Sequence, residues 1–172
     1  VESTLKLFRP NNAAFSLGAP RRQPGRRANE IERPVVLDRP FYLATKEINN
    51  EQFRQRTTQH STSSVNGMSL SLANQPVTNI SWEQAALFCN WLSRKSGLTA
   101  FYESENGSIT RINWQSNGYR LPTEAEWAWT AKVDKQGLAN QFPWNNNLYP
   151  PMEPVDNYAD VSAKYLLPFT IA

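Results

Sequence analysis

Cysteine and histidine are almost missing from this sequence: one of each, Cys89 and His60, in 172 residues. One cysteine closes no internal disulfide and builds no cysteine-based zinc site, and one histidine excludes a histidine cluster. The redox compartment is therefore unreadable. Long apolar runs are also missing; nothing approaches the roughly 20 residues of a membrane span. The opening Val1-Glu2-Ser3 has neither an initiator Met nor a signal-peptide apolar region, so both ends read as boundaries within a longer parent protein. A large charge excess is absent too. The formal net charge is only +3, and the basic excess is local, in Arg21, Arg22, Arg26 and Arg27 around Pro20, Pro24 and Gly25, a solvated-loop composition.

What is present is aromatic and irregular. Hydrophobic residues make up 40% and aromatics 12%, which excludes a disordered chain. Twelve Pro and 7 Gly are spread along the length, favouring ordered loops and an irregular α+β domain over a helical bundle or βαβ repeat. An edge strand is expected within Val1–Pro10 with Leu5, Leu7 and Phe8 inward, and a second short strand at Phe15–Gly18. Pro34–Leu37 and Phe41–Ala44, split by Asp38-Arg39-Pro40, carry a hairpin-like signature. Thr45 is expected to cap a first helix over Lys46–Thr57, with Ile48 and Phe53 buried and Asn49 and Asn50 on its polar side. Gln59–Asn74 reads as a Ser/Thr/Asn-rich loop, with His60 solvated in it.

The clearest helix starts at Ser81, where Gln84 completes a capping box. Ala85, Phe88, Cys89 and Leu92 follow on one face, and Gly97 closes it. Cys89 on that face is a buried small hydrophobe, since a reactive thiol needs an electropositive, partly open setting. Phe101–Trp114 predicts a hairpin turning at Asn106-Gly107. Thr123 and Glu126 form another capping box ahead of Ala125, Trp127, Ala128, Trp129 and Ala131; this helix is apolar on more than one side and is expected to lie deep, with Trp127 in the core. Arg120 is expected in a structural ion pair with Glu124 or Glu126.

Gly118-Tyr119-Arg120-Leu121-Pro122-Thr123-Glu124-Ala125-Glu126-Trp127 resembles the signature of the formylglycine-generating, sulfatase-modifying enzyme family. Phe15–Gly18, Glu47–Phe53, Pro76–Ser93 and Phe142-Pro143-Trp144 are similar to family segments in the same order, with Asn145 where the family usually has Gly. The resemblance runs from about Phe15 to Ala159. It implies a C-type-lectin-like α+β fold with few short strands and about three helices, one domain over residues 1–172 lacking its C-terminal portion. The family includes copper-dependent oxidases that convert a sulfatase cysteine to formylglycine, and members with binding or unassigned roles. The Gly-Asn-x-x-Glu-Trp and Arg-Gly-Gly-Ser segments of its second half, where the oxidase cysteines lie, do not occur before Ala172. Copper(I) needs soft thiolates, and Cys89 alone supplies no such site. The residues that carry over are structural (Arg120, Thr123, Glu126, Trp127) and none is catalytic.

A metal reading attaches to Asp156-Asn157-Tyr158-Ala159-Asp160, whose oxygens suit calcium. The residues alone favour a polar Asx turn; the resemblance makes Asn157 and the Tyr158 carbonyl ligands in a partial calcium site. Three functions follow as expectations. The first is a non-catalytic binding or structural module of a larger envelope or secreted protein, bacterial and periplasmic or extracellular by resemblance. A second polypeptide or the C-terminal remainder would complete it, and its protein or glycan ligand is unspecified. The second is the N-terminal part of a copper oxidase. The third is an anionic-polymer binder using Arg21–Arg27, with nucleic acid disfavoured. The chain as written is not expected to oxidise a substrate.

Overall fold

A computed structural model of the chain describes residues 3–23, 26–62, 64–65, 67–133, 140, 142, 144, 147 and 151. The described elements, in order, are strands β1 (Leu5–Phe8), β2 (Ala13–Leu17), β3 (Arg33–Leu37) and β4 (Phe41–Ala44), helix α1 (Asn50–Arg54), strands β5 (Ser64–Val65) and β6 (Met68–Ser69), helix α2 (Trp82–Lys95), strands β7 (Tyr102–Glu105) and β8 (Ser108–Ile112), and helix α3 (Glu124–Lys132). Three helices among four two-stranded ladders make an irregular α+β fold. The chain divides into two compact units, Val1–Thr4 with Ala44–Leu121 and Leu5–Leu43 with Pro122–Ala172.

In the second of these, β2 and β3 pair antiparallel with Phe15 opposite Val35, while β1 pairs with β4. The hairpin-like segment at Asp38-Arg39-Pro40 is thus no hairpin: its two strands belong to different ladders. Pro40 offers no N–H to close a turn and holds the chain extended, so the backbone passes on instead of folding back. Leu5, expected inward, is exposed. The rings of Phe8 and Phe41 stack at 5.6 Å, and both meet Trp129 edge-on, at 6.2 and 6.3 Å.

The expectation that α3 buries both tryptophans is wrong. Trp129 is 6% exposed and Trp127 is 63% exposed. Two residues along a helix rotate a side chain by about 200°, so a nine-residue helix on one side of a core buries one of such a pair and presents the other to solvent.

The other unit is built on α2. Its Ser81–Gln84 capping box is formed in both directions, and Gly97, at φ 68°, takes the left-handed position after the helix. Ala86, Cys89, Phe101 and Tyr102 form the core cluster, with Ile109, Ile112, Tyr119 and Leu121 packed on it. Hairpin β7–β8 turns at Asn106-Gly107, both with positive φ (51° and 85°), the conformation that an Asn-Gly turn supplies cheaply.

Helix α1 is shorter than expected and starts later. Its cap is Asn49, in a capping box with Gln52; Thr45 instead donates its backbone N–H to Thr4. Asn50 is not on a polar face but wholly buried.

Candidate functional site

Residues 113–126 include three of the four signature residues that the sequence singles out, Arg120, Thr123 and Glu126. Strand β8 ends at Ile112, and Asn113 donates its N–H back to the Phe101 carbonyl at 2.8 Å. A tight loop follows. Gln115 N–H donates to Asn113 Oδ1 at 3.0 Å, Ser116 Oγ donates to the Thr99 carbonyl at 2.6 Å, and Asn117 Oδ1 accepts from Thr99 N–H at 3.0 Å. Gly118 closes the loop by donating to Ser116 Oγ at 2.9 Å. A Cβ on Gly118 would collide with the Thr99 carbonyl and sit 2.6 Å from Ser93 Oγ, so glycine is a packing requirement here.

From Gly118 the chain enters the signature. Tyr119 N–H donates to Ser93 Oγ at 2.8 Å, and Leu121 N–H to the Tyr102 hydroxyl at 3.1 Å. Arg120 places its guanidinium 5.6 Å from the centre of the Phe101 ring and donates to the Leu121 carbonyl at 3.1 Å. Thr123 Oγ1 accepts from Glu126 N–H at 3.2 Å, while Glu126 Oε2 accepts from Thr123 N–H at 2.8 Å. Thr123 and Glu126 therefore cap α3, and Trp127 stands in solvent on its outer side.

The thiol of Cys89 lies in the α2 core, and burial pushes its pKa up from 9.0 to about 11. At neutral pH it is a protonated, inaccessible thiol, the opposite of a metal ligand or nucleophile. Burial likewise raises the Tyr102 phenol, against the lowering effect of its bond from Leu121 N–H. His60 is half-buried: its ring meets Phe53 edge-on at 5.0 Å, and its Nε2 lies 3.2 Å from the Thr78 carbonyl. In the arginine loop Arg21 and Arg22 are exposed, whereas Arg26 Nε donates to the Ala19 carbonyl at 2.9 Å. Asn157 and Tyr158 lie outside the described residues.

Two asparagines with structural weight were not singled out by sequence. Asn50 directs its Nδ2 at the carbonyls of Leu70, Leu72 and Gln75, at 3.0, 2.9 and 3.3 Å, and so gathers the 70–75 loop around one amide. Asn90 donates to the Tyr102 carbonyl at 2.6 Å and accepts from its N–H at 3.1 Å, as a neighbouring strand would. The available signal was the spacing of Ala86, Asn90 and Ser93, a small and polar stripe at i, i+4 and i+7 inside an apolar helix.

The profile of the sulfatase-modifying factor enzyme 1-like domain matches residues 13–166. The chain belongs to that family. Chaperone protein LppX of Paenibacillus barcinonensis is 32% identical over 87 residues, 42% of this chain and 31% of LppX. The formylglycine-generating enzymes of Mus musculus and Bos taurus are 33% and 32% identical over 79 and 78 residues, 45% of this chain in each case and 14% and 13% of the enzymes. The chain thus spans a third or less of the length of these relatives. Among solved structures, Treponema denticola variable protein 1 superposes with a TM-score of 0.62 at 24% identity, covering 86% of this chain and 58% of that one. CarF gives 0.58 at 21% identity, covering 85% and 64%. The C-type-lectin-like α+β fold expected from the signature is the fold observed.

Proposed function

We propose that the chain is a non-catalytic formylglycine-generating-enzyme-like module, with a binding or structural role in a larger envelope or secreted protein. The observation that carries this reading is Cys89: the only thiol in the sequence is a core residue, held protonated by burial. The signature residues support it, because Arg120, Thr123 and Glu126 have fold-building roles in ring stacking and helix capping. The relative named as a chaperone is consistent with a family member that works by binding.

A second reading is the N-terminal part of a formylglycine-generating oxidase, favoured by the mouse and bovine relatives. Copper(I) does not fit the residues present, since one buried thiol is not a two-thiolate site, so this reading places the metal site in further sequence of the parent protein. The deciding experiment supplies the full-length protein with copper(I), oxygen and a cysteine-containing sulfatase peptide. No oxygen uptake and no aldehyde product is the expected result; copper-dependent formylglycine formation would overturn the module reading.

Calcium belongs to the same proposal. The Asn157 side-chain oxygen and the Tyr158 carbonyl are hard donors of the right class, and further ligands would come from the rest of the parent protein or a second polypeptide. Calcium should raise the melting temperature of the full-length protein, with Asn157→Ala abolishing the rise. Identical melting curves in calcium and chelator would leave a plain Asx turn. A periplasmic or extracellular location fits such a module.

A further inference from the structure

We propose that the Asn113–Asn117 loop is a carbohydrate-binding subsite in which Trp114 stacks against the face of a neutral sugar ring. The inference rests on the binding-module reading and names the ligand class for it. Trp114 is 66% exposed, yet its ring is held at 90° to Phe101, with centroids 5.5 Å apart. Phe101 is itself buried, and Arg120 lies over its ring. A large apolar surface is thereby shown to solvent in one fixed orientation, so little freedom is lost when a ligand covers it.

The loop beneath it is equally fixed. Asn113, Ser116, Asn117 and Gly118 are each bonded within the loop or to Phe101 and Thr99, and the space around Gly118 is filled by the Thr99 carbonyl and Ser93 Oγ. Asn113 and Asn117 use their Oδ1 atoms for this, which leaves their Nδ2 groups as donors. Exposed Gln115 adds a complete carboxamide. Among the described residues these amide nitrogens have no protein partner.

Charge decides the chemistry of the ligand. The run Asn-Trp-Gln-Ser-Asn carries none, and the nearest basic groups in sequence are engaged: Arg111 with Glu103 at 3.8 Å, and Arg120 on Phe101. The loop itself offers a polyanion no counter-charge, and a purely apolar ligand would strand the amides. A neutral pyranose meets both demands. Its axial C–H bonds, weakly positive, face the negative π-surface of the indole, and its equatorial hydroxyls reach neutral donors and acceptors at the rim.

The test is affinity electrophoresis of the full-length protein through gels holding a mixed-linkage β-glucan, a galactomannan or hydroxyethylcellulose, with tryptophan fluorescence titration of any polysaccharide that retards it. Retardation by at least one, insensitive to salt, is expected. Trp114→Ala should weaken binding by about tenfold or more, the scale for losing a central aromatic anchor, and Trp114→Phe should recover part of it. Trp82→Ala, removing another exposed tryptophan of the same unit, should leave binding unchanged. Both alanine variants must keep the wild-type melting curve, which their exposure predicts. Absence of retardation in all three gels, or a Trp114→Ala variant that binds like wild type, overturns the proposal. The oxidase assay is read independently: no sugar binding and no turnover removes this ligand alone, whereas turnover removes the module reading whatever the gels show.

Discussion

Asn50 shows how much one amide can organise. Its Nδ2 serves carbonyls 20, 22 and 25 residues away, and the side chain is fully buried. Asn50→Ala would leave the part-buried Leu70 and Leu72 carbonyls without that donor, and losing the amide should cost about 1–3 kcal/mol. In urea the unfolding free energy should fall by that amount, seen as a lower midpoint at unchanged slope; a midpoint equal to wild type would show that water replaces the amide without loss. Cys89 gives a pH prediction of known sign. Its folded pKa, about 11, lies above the unfolded 9.0, so the folded state binds the extra proton. Stability from this group is complete below pH 9 and is lost from pH 9 towards 11, by about 1.4 kcal/mol per unit. The raised Tyr102 adds loss in the same direction above its ordinary value of 10.0. A Cys89→Ala variant should show a shallower alkaline decline; an identical decline would place the loss on other groups.

At the scale of elements, capping chemistry was the most legible part of the sequence. Ser81–Gln84 and Thr123–Glu126 fix the starts of α2 and α3 because the signal is local, a side chain and a backbone N–H three residues apart. The same box at Asn49–Gln52 was masked by the apolar pattern around it and by Thr45 as a rival cap. Hairpin β7–β8 was readable for the same reason, its turn being two adjacent residues. Non-local features were not readable. Sequence adjacency suggested a hairpin for β3 and β4, and only tertiary pairing assigns them to β2 and β1. The candidate loop was partly legible, as a signature beginning at Gly118, but the exposure of Trp114 and the burial of Asn90 depend on packing. The pair on α3 tests the assigned face. Trp129→Ala should cost about 3–5 kcal/mol as a core truncation, and Trp127→Ala should stay within about 0.5 kcal/mol as a surface change. Equal losses in thermal unfolding would contradict the orientation of the helix.

At the scale of the whole molecule, chain order and compact units do not coincide. Leu5–Leu43 joins with the segment after Pro122, while the intervening Ala44–Leu121 closes with the first four residues, where Gln52 Nε2 donates to Ser3 Oγ at 2.7 Å. The family signature straddles the division: Gly118–Leu121 is bonded to α2 and β7, and Pro122 onward forms α3. The motif therefore contributes structural contacts within each unit, which explains why it identifies a fold better than a reaction. Each unit has its own aromatic cluster, Phe8–Phe41–Trp129 in one and Phe53–Phe88–Trp91 in the other. Local stability follows local packing, so damage to one cluster should be felt first in its own unit. Hydrogen exchange on Trp129→Ala should show faster exchange in β1–β4 while the α2 amides keep most of their protection. Uniform acceleration across both would mean that the two units do not open separately.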